Sequence, residues 1–179
     1  MLDLPAFRPG PPRPSRILTP RGFSRQHGQE RHVVPGGGAV LLKVMAGDQF
    51  ILLNDEGGQP CEVVAAGTDG RIDAAILGVA ANSTAEGLKA ILATGEPSLM
   101  RLRKGLVQRG IDLAKAGGLR LFGEDSPAGT RAEVTVLDAG WLVVAAPGKP
   151  MAPEAQDTAT PITLLVQREI GRASCRERV

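Results

Sequence analysis

Residues 126–147, SPAGTRAEVTVLDAGWLVVAAP, decide how this chain folds. Ser126-Pro127-Ala128-Gly129 is a turn, because proline and glycine fix the backbone values a reversal needs. It introduces Ala132 to Leu137, where Val134 and Val136 alternate with Glu133 and Thr135. Such a period of two marks a strand with one face buried and one face wet. Asp138-Ala139-Gly140 then turns into Trp141 to Ala145, an apolar strand closed by Ala145-Ala146-Pro147. Further on, Thr160-Pro161-Ile162 opens a last strand through Val166. It is apolar for most of its length and is read as buried.

Working outward from this stretch, the earlier chain repeats the pattern. Val33-Val34 leads to the turn Pro35-Gly36-Gly37-Gly38, and Ala39 to Met45 and Gln49 to Leu53 are strands divided by Ala46-Gly47-Asp48. A turn over 54–59 precedes a strand at Cys61 to Ala66. The middle changes period. Ser83 with Glu86 reads as a capping box ahead of a helix lined by Leu88, Ile91 and Leu92 and ending near Gly95. Ser98 is placed to cap a second helix carrying Leu99, Leu102 and Leu106, before a short strand at Leu119 to Phe122. The expected fold is mainly β with α+β character: a β-barrel or sandwich with a two-helix insertion between about Asn82 and Gly118.

Three segments follow. Residues 1–32 hold Pro5, Pro9, Pro11, Pro12, Pro14 and Pro20 among scattered arginines, and are expected as an extended arm. Residues 33–168 form the β domain. Residues 169–179 are read as a non-native tail: Gly171 to Val179, with Arg172, Arg176 and Arg178 against Glu177, looks like translated adapter sequence, with a natural basic tail as the alternative.

Composition narrows the function classes. A net charge of +2 provides no basic footprint for nucleic acid. Aromatics are 3% of residues, with no tyrosine and one tryptophan, Trp141, so platforms for stacking bases or sugars are not expected. No 18-residue apolar run spans a membrane. The start lacks the basic and apolar regions of a signal peptide, and Cys61 and Cys175 do not make a disulfide framework. A cytoplasmic location is expected.

The order of these turns and strands resembles the urea carboxylase-associated family. The resemblance rests on Ser126 to Val166, on Val34-Pro35, on Ala46-Gly47-Asp48 and on Glu56-Gly57-Gly58-Gln59 with Glu62 following. The proline-rich arm, Ser15 to Pro20 and the helical middle are similar to a subgroup in which this domain opens longer bacterial proteins. The remainder of those proteins looks like the glycine cleavage T-protein, a folate-dependent aminomethyltransferase. The resemblance therefore implies an N-terminal accessory or substrate-binding domain of a larger aminomethyltransferase or demethylase. It implies tetrahydrofolate in the parent protein, no cofactor in this part, and a C-terminal catalytic domain or a paralogous subunit as partner. The alternative is a stand-alone or paired-subunit hydrolase or deiminase of urea- or guanidine-type compounds. Against it, the stretch between Glu62 and Gly171 contains no His or Cys, whereas zinc needs three or four donors and deimination needs an activated thiol or metal-bound water.

Individual residues carry competing readings. Gln59 and Glu62 can hold an amide or amidine, since a carboxylate pairs with a planar cation; they are equally a turn residue and a strand end. Gln156, Asp157 and Thr158 precede the last strand, on the side where the resemblance places substrate-facing residues, or else form a turn bonded to its own backbone. These five form the candidate small-molecule site. Cys61 reads as a small core residue rather than a nucleophile. His27 and His32 lack an evident third ligand for a metal site, and no metal is expected. Gly36 to Gly38 precede a strand rather than the helix that a phosphate loop requires. Arg101, Arg103, Lys104 and Arg109 read as a solvated helix face, or as a site for an acidic partner.

Overall fold

The computed structural model describes residues 28–148 and 159–169. Eight strands form two antiparallel four-stranded sheets. In chain order they are β1 (Gln29–Val34), β2 (Ala39–Val44), β3 (Gln49–Asn54), β4 (Cys61–Gly67), β5 (Leu119–Leu121), β6 (Thr130–Thr135), β7 (Gly140–Ala145) and β8 (Ile162–Gln167). One sheet has the order β1-β8-β3-β6 and the other β2-β7-β4-β5. The two sheets share no strand, so the architecture is a sandwich and not a closed barrel. The last strand, read as buried from its apolar run, lies between β1 and β3.

Val34, Phe50, Leu52, Ile162, Leu164 and Val166 of the first sheet meet Val44, Val63, Leu142 and Val144 of the second. The second sheet buries its other face too. Val64 and Ala66 of β4 and Val143 and Ala145 of β7 pack on helices α1 (Glu86–Ala93) and α2 (Pro97–Gln108) through Leu88, Ile91, Leu99 and Leu106. This explains why β4 and β7 read as continuous apolar runs while β6 alternates: of these three strands, β6 alone keeps a wet face. Each large side chain buried in these layers contributes roughly 1.5–3 kcal/mol.

The start of α1 departs from the sequence reading. Ala85, not Ser83, is the residue before the first turn, and its left-handed backbone (φ 53°) carries no side-chain cap. The Ser83 hydroxyl instead accepts the Ala85 N–H at 3.1 Å, and Glu86 reaches Lys89 at 3.0 Å rather than turning back. Helix α2 begins at Pro97, whose missing N–H costs nothing in a first turn, and Ser98 lies inside the helix. Strand β1 starts at Gln29, four residues before Val33; its polar start lacks the apolar alternation of the other strands.

Candidate functional site

Gln59 and Glu62 lie at one end of the second sheet, and both are buried, at 4% exposure each. Asn54 shapes the turn that delivers them: its amide donates to the Gln59 carbonyl at 3.0 Å and its oxygen accepts the Gly57 N–H at 3.0 Å. The Gln59 side-chain amide donates to the carbonyls of Pro60 (2.9 Å) and Pro147 (2.7 Å), and its oxygen accepts the Thr160 N–H (2.9 Å). One side chain thus joins the turn before β4 to both ends of the connection between β7 and β8. Both amide protons and one lone pair of the amide oxygen are used.

Glu62 alternates with Cys61 and Val63 along β4, so it points to the helix side of the sheet rather than into the sandwich. There its carboxylate accepts the Gly87 N–H at 3.2 Å and the Leu88 N–H at 2.7 Å. These are orphan donors of the first turn of α1, which Ala85 cannot satisfy. A carboxylate at a helix N-terminus is also favoured by the helix dipole. Gly87 makes this approach possible, because a Cβ there would crowd the Pro147 ring and the Glu62 carboxyl carbon. Gln59, Glu62, Gly87, Pro147 and Thr160 therefore form one connected cluster.

Gln156, Asp157 and Thr158 lie outside the described residues, as do the arm before Gly28 with His27, and the tail with Cys175. Two shallow depressions mark the described surface. One of about 460 Å³ runs along Met100, Arg103, Lys104, Val107 and Gln108 of α2, and one of about 310 Å³ lies beside Asp73 and Val79. Neither includes Gln59 or Glu62.

The other candidates resolve individually. Cys61 is fully buried, and burial, followed by the neighbouring Glu62 charge, pushes its thiol well above the ordinary range. A nucleophile must be thiolate, so Cys61 acts as a core residue at neutral pH. His32 pairs with Glu30 at 3.3 Å. Among the described residues no group of three or more His, Cys, Asp or Glu is placed to hold a metal ion. The Gly37 N–H donates to the Ala146 carbonyl at 2.8 Å, so this glycine turn holds the sandwich end together. Arg101, Arg103 and Lys104 are exposed, whereas the Arg109 guanidinium stacks 4.1 Å above the Trp141 ring. No described helix is long and apolar enough to cross a membrane.

Sequence reasoning missed a second, partly buried polar cluster around the buried Asp48. Arg168 donates to Asp48 at 2.6 Å, to the Lys43 carbonyl at 3.1 Å and to both Glu30 oxygens at 3.2 Å. Burial opposes both charges here. The mutual hydrogen bonds outweigh it, holding Arg168 above its ordinary value and, with help from His32, Glu30 below its own. The Ala46-Gly47-Asp48 turn advertises none of this, since Arg168 lies 120 positions away.

No family model matches the chain. The chain is similar to the trimethylamine-oxide aldolase of Ruegeria pomeroyi, with 46% identity over 178 residues, 98% of this chain. It spans only 23% of that protein's length. This overturns the resemblance drawn from the sequence. The similar protein is named as an aldolase, a lyase, and neither a urea carboxylase-associated protein, a folate-dependent aminomethyltransferase nor a hydrolase or deiminase. The physical reason lies in the motifs used. Gln59, Glu62 and the glycine turns hold the end of a sandwich together, so their spacing reports strand geometry and not a reaction. What the comparison shows is 46% identity, over 98% of this chain, to a stretch that makes up 23% of a trimethylamine-oxide aldolase.

Proposed function

We propose that this chain is the β-sandwich part of a protein that cleaves trimethylamine oxide or a close N-oxide analogue, with the remainder of a longer polypeptide as its partner. The supporting observation is the 46% identity over 98% of the chain. An aldolase acting on trimethylamine oxide releases one methyl carbon as formaldehyde and leaves dimethylamine. Atoms balance without an added oxidant, because the methyl carbon is oxidised as the nitrogen is reduced.

The site geometry supports a positioning role for Gln59 and Glu62. Gln59 ties both ends of the β7–β8 connection, at Pro147 and Thr160, and Glu62 fixes α1 beside it. To Gln156, Asp157 and Thr158, within that connection, we assign contact with the small molecule. An amide N–H and a hydroxyl suit the N-oxide oxygen, and a carboxylate suits the methylated cationic nitrogen. An aromatic cage is a poorer fit, because the Trp141 face is already covered by Arg109.

The test is a chimera in which this chain replaces the matching segment of the Ruegeria pomeroyi protein. Formaldehyde and dimethylamine are measured from trimethylamine oxide, with and without tetrahydrofolate, which condenses with free formaldehyde. Equal release of both products, within about tenfold of the parent rate, supports the proposal. A folded chimera that releases neither overturns it. Loss of activity in Asp157→Asn or Thr158→Val, with folding intact, supports the assignment of the connection.

A further inference from the structure

The two outer faces of the sandwich are treated unequally. Helices α1 and α2 cover the second sheet, but no described element covers the first. On that open face the register places Val33, Thr163, Leu53 and Arg131 in one row across four strands, with Arg31, Leu165, Ile51 and Glu133 in the next. Ile51, Leu53 and Leu165 make a half-buried apolar centre, with Val33 on the edge strand 53% exposed. Acids also stand on this side: Glu133, and Asp55, which accepts the Thr163 hydroxyl at 2.7 Å.

We infer that residues 1–27 of this same chain dock on the open face. Four observations carry this choice of occupant. Gly28 runs directly into β1, an edge strand of this sheet, so the segment joins the sandwich at the rim of the face. An extended chain covers about 3.3 Å per residue, while four strands about 4.8 Å apart span only about 15 Å, so fewer than ten residues suffice to cross. The segment carries Leu2, Leu4, Phe7, Ile17, Leu18 and Phe23 among its six prolines. Prolines lack the N–H that would extend the sheet at its edge, but their rings and these side chains suit packing on a face. Finally, the segment has five arginines and one acid, Asp3. The other apolar surface, around Met100 and Val107 on α2, is flanked by Arg101, Arg103 and Lys104 and contains no acid within the helix, so it repels a basic segment. The sheet face balances Arg31 and Arg131 with Asp55 and Glu133, the last already paired with Arg131 at 2.8 Å, so it lacks the uniform positive charge of α2.

The experiment places a benzophenone amino acid at Val33 in the full chain and maps photo-crosslinks by mass spectrometry, with the same probe at Val107 as control. Crosslinks from Val33 to peptides of residues 1–27 within a single chain, and none from Val107, support the docking. Crosslinks between two copies, crosslinks to the sandwich alone, or equal capture from Val107 overturn it. In a second measurement, Val33→Asp makes trypsin cleavage after Arg16, Arg21 and Arg25 about tenfold faster, as expected for loss of one buried valine contact. Unchanged cleavage in a variant that keeps its circular dichroism spectrum overturns the docking as well.

Discussion

Replacing Glu62 tests whether a strand residue caps a helix it does not belong to. In Glu62→Gln the amide oxygen can still accept the Leu88 N–H, now 2.7 Å from the carboxylate, but the amide nitrogen faces the Gly87 N–H. One charge-assisted bond is worth about 1.5–3 kcal/mol, and the helix dipole adds roughly 0.3–1 kcal/mol. Removing a buried charge returns part of this through desolvation, leaving a net loss of about 2 kcal/mol. In Glu62→Ala both N–H groups lose their acceptor and a void opens, for a loss of about 3–4 kcal/mol. With a urea slope of about 2 kcal/mol per molar, the midpoints fall by roughly 1 M and 2 M. Amide exchange at Gly87 and Leu88 should quicken more than exchange along β7. Midpoints within about 0.25 M of wild type for both variants, or glutamine worse than alanine, would refute the reasoning.

Four further outcomes are expected. Gln59→Ala strands two carbonyls and one N–H, and should cost about 2–4 kcal/mol in urea unfolding; Gln59→Glu should be comparably damaging, because a carboxylate oxygen would face the Pro60 and Pro147 carbonyls. Arg168→Met leaves the Asp48 carboxylate buried without its counter-charge and should cost about 3–5 kcal/mol, with the added change Asp48→Asn recovering much of it. Glu30 is held below its ordinary value of 4.5, so its stabilising contribution is complete above that pH and fades as pH falls through the lower folded value; Glu30→Gln should flatten this part of an acid titration and leave pH 7 to 5 parallel to wild type. In a Cys175→Ser background, iodoacetamide should label Cys61 at pH 8 only at the rate of global unfolding, and labelling at the rate of a free thiol would contradict its burial.

Local pattern carried the strands well. Alternation at Val134 and Val136, and the glycine turns flanking β2 and β3, are properties of neighbouring residues. They survive without knowledge of the partners. Cap chemistry was less legible. Ser83 and Glu86 have capping-box spacing, but the left-handed Ala85 displaces the helix start, and the true cap comes from Glu62 on β4. The polar start of β1 was hidden because Glu30 and His32 meet partners that lie far away or are polar themselves. Of the candidate site, Gln59 and Glu62 were found as unusual residues, but their environment was not. Their partners Pro147, Thr160 and Gly87 stand 25 to 101 positions away, and no local spacing encodes such distances.

The strand order also has a consequence in time. Sheet β2-β7-β4-β5 is complete once Ala145 leaves the ribosome, but the other sheet still lacks β8, the last of the described strands, which stands between β1 and β3. Until Gln167 emerges, β1 has no neighbour and β3 is paired on one side only. At about 5–20 residues per second, the 22 residues between Ala145 and Gln167 take roughly 1–4 s. Through that interval the nascent chain presents half a sandwich with Val34, Phe50 and Leu52 uncovered. Chaperone capture should therefore concentrate on chains stalled between these two points, and vanish once β8 is inserted.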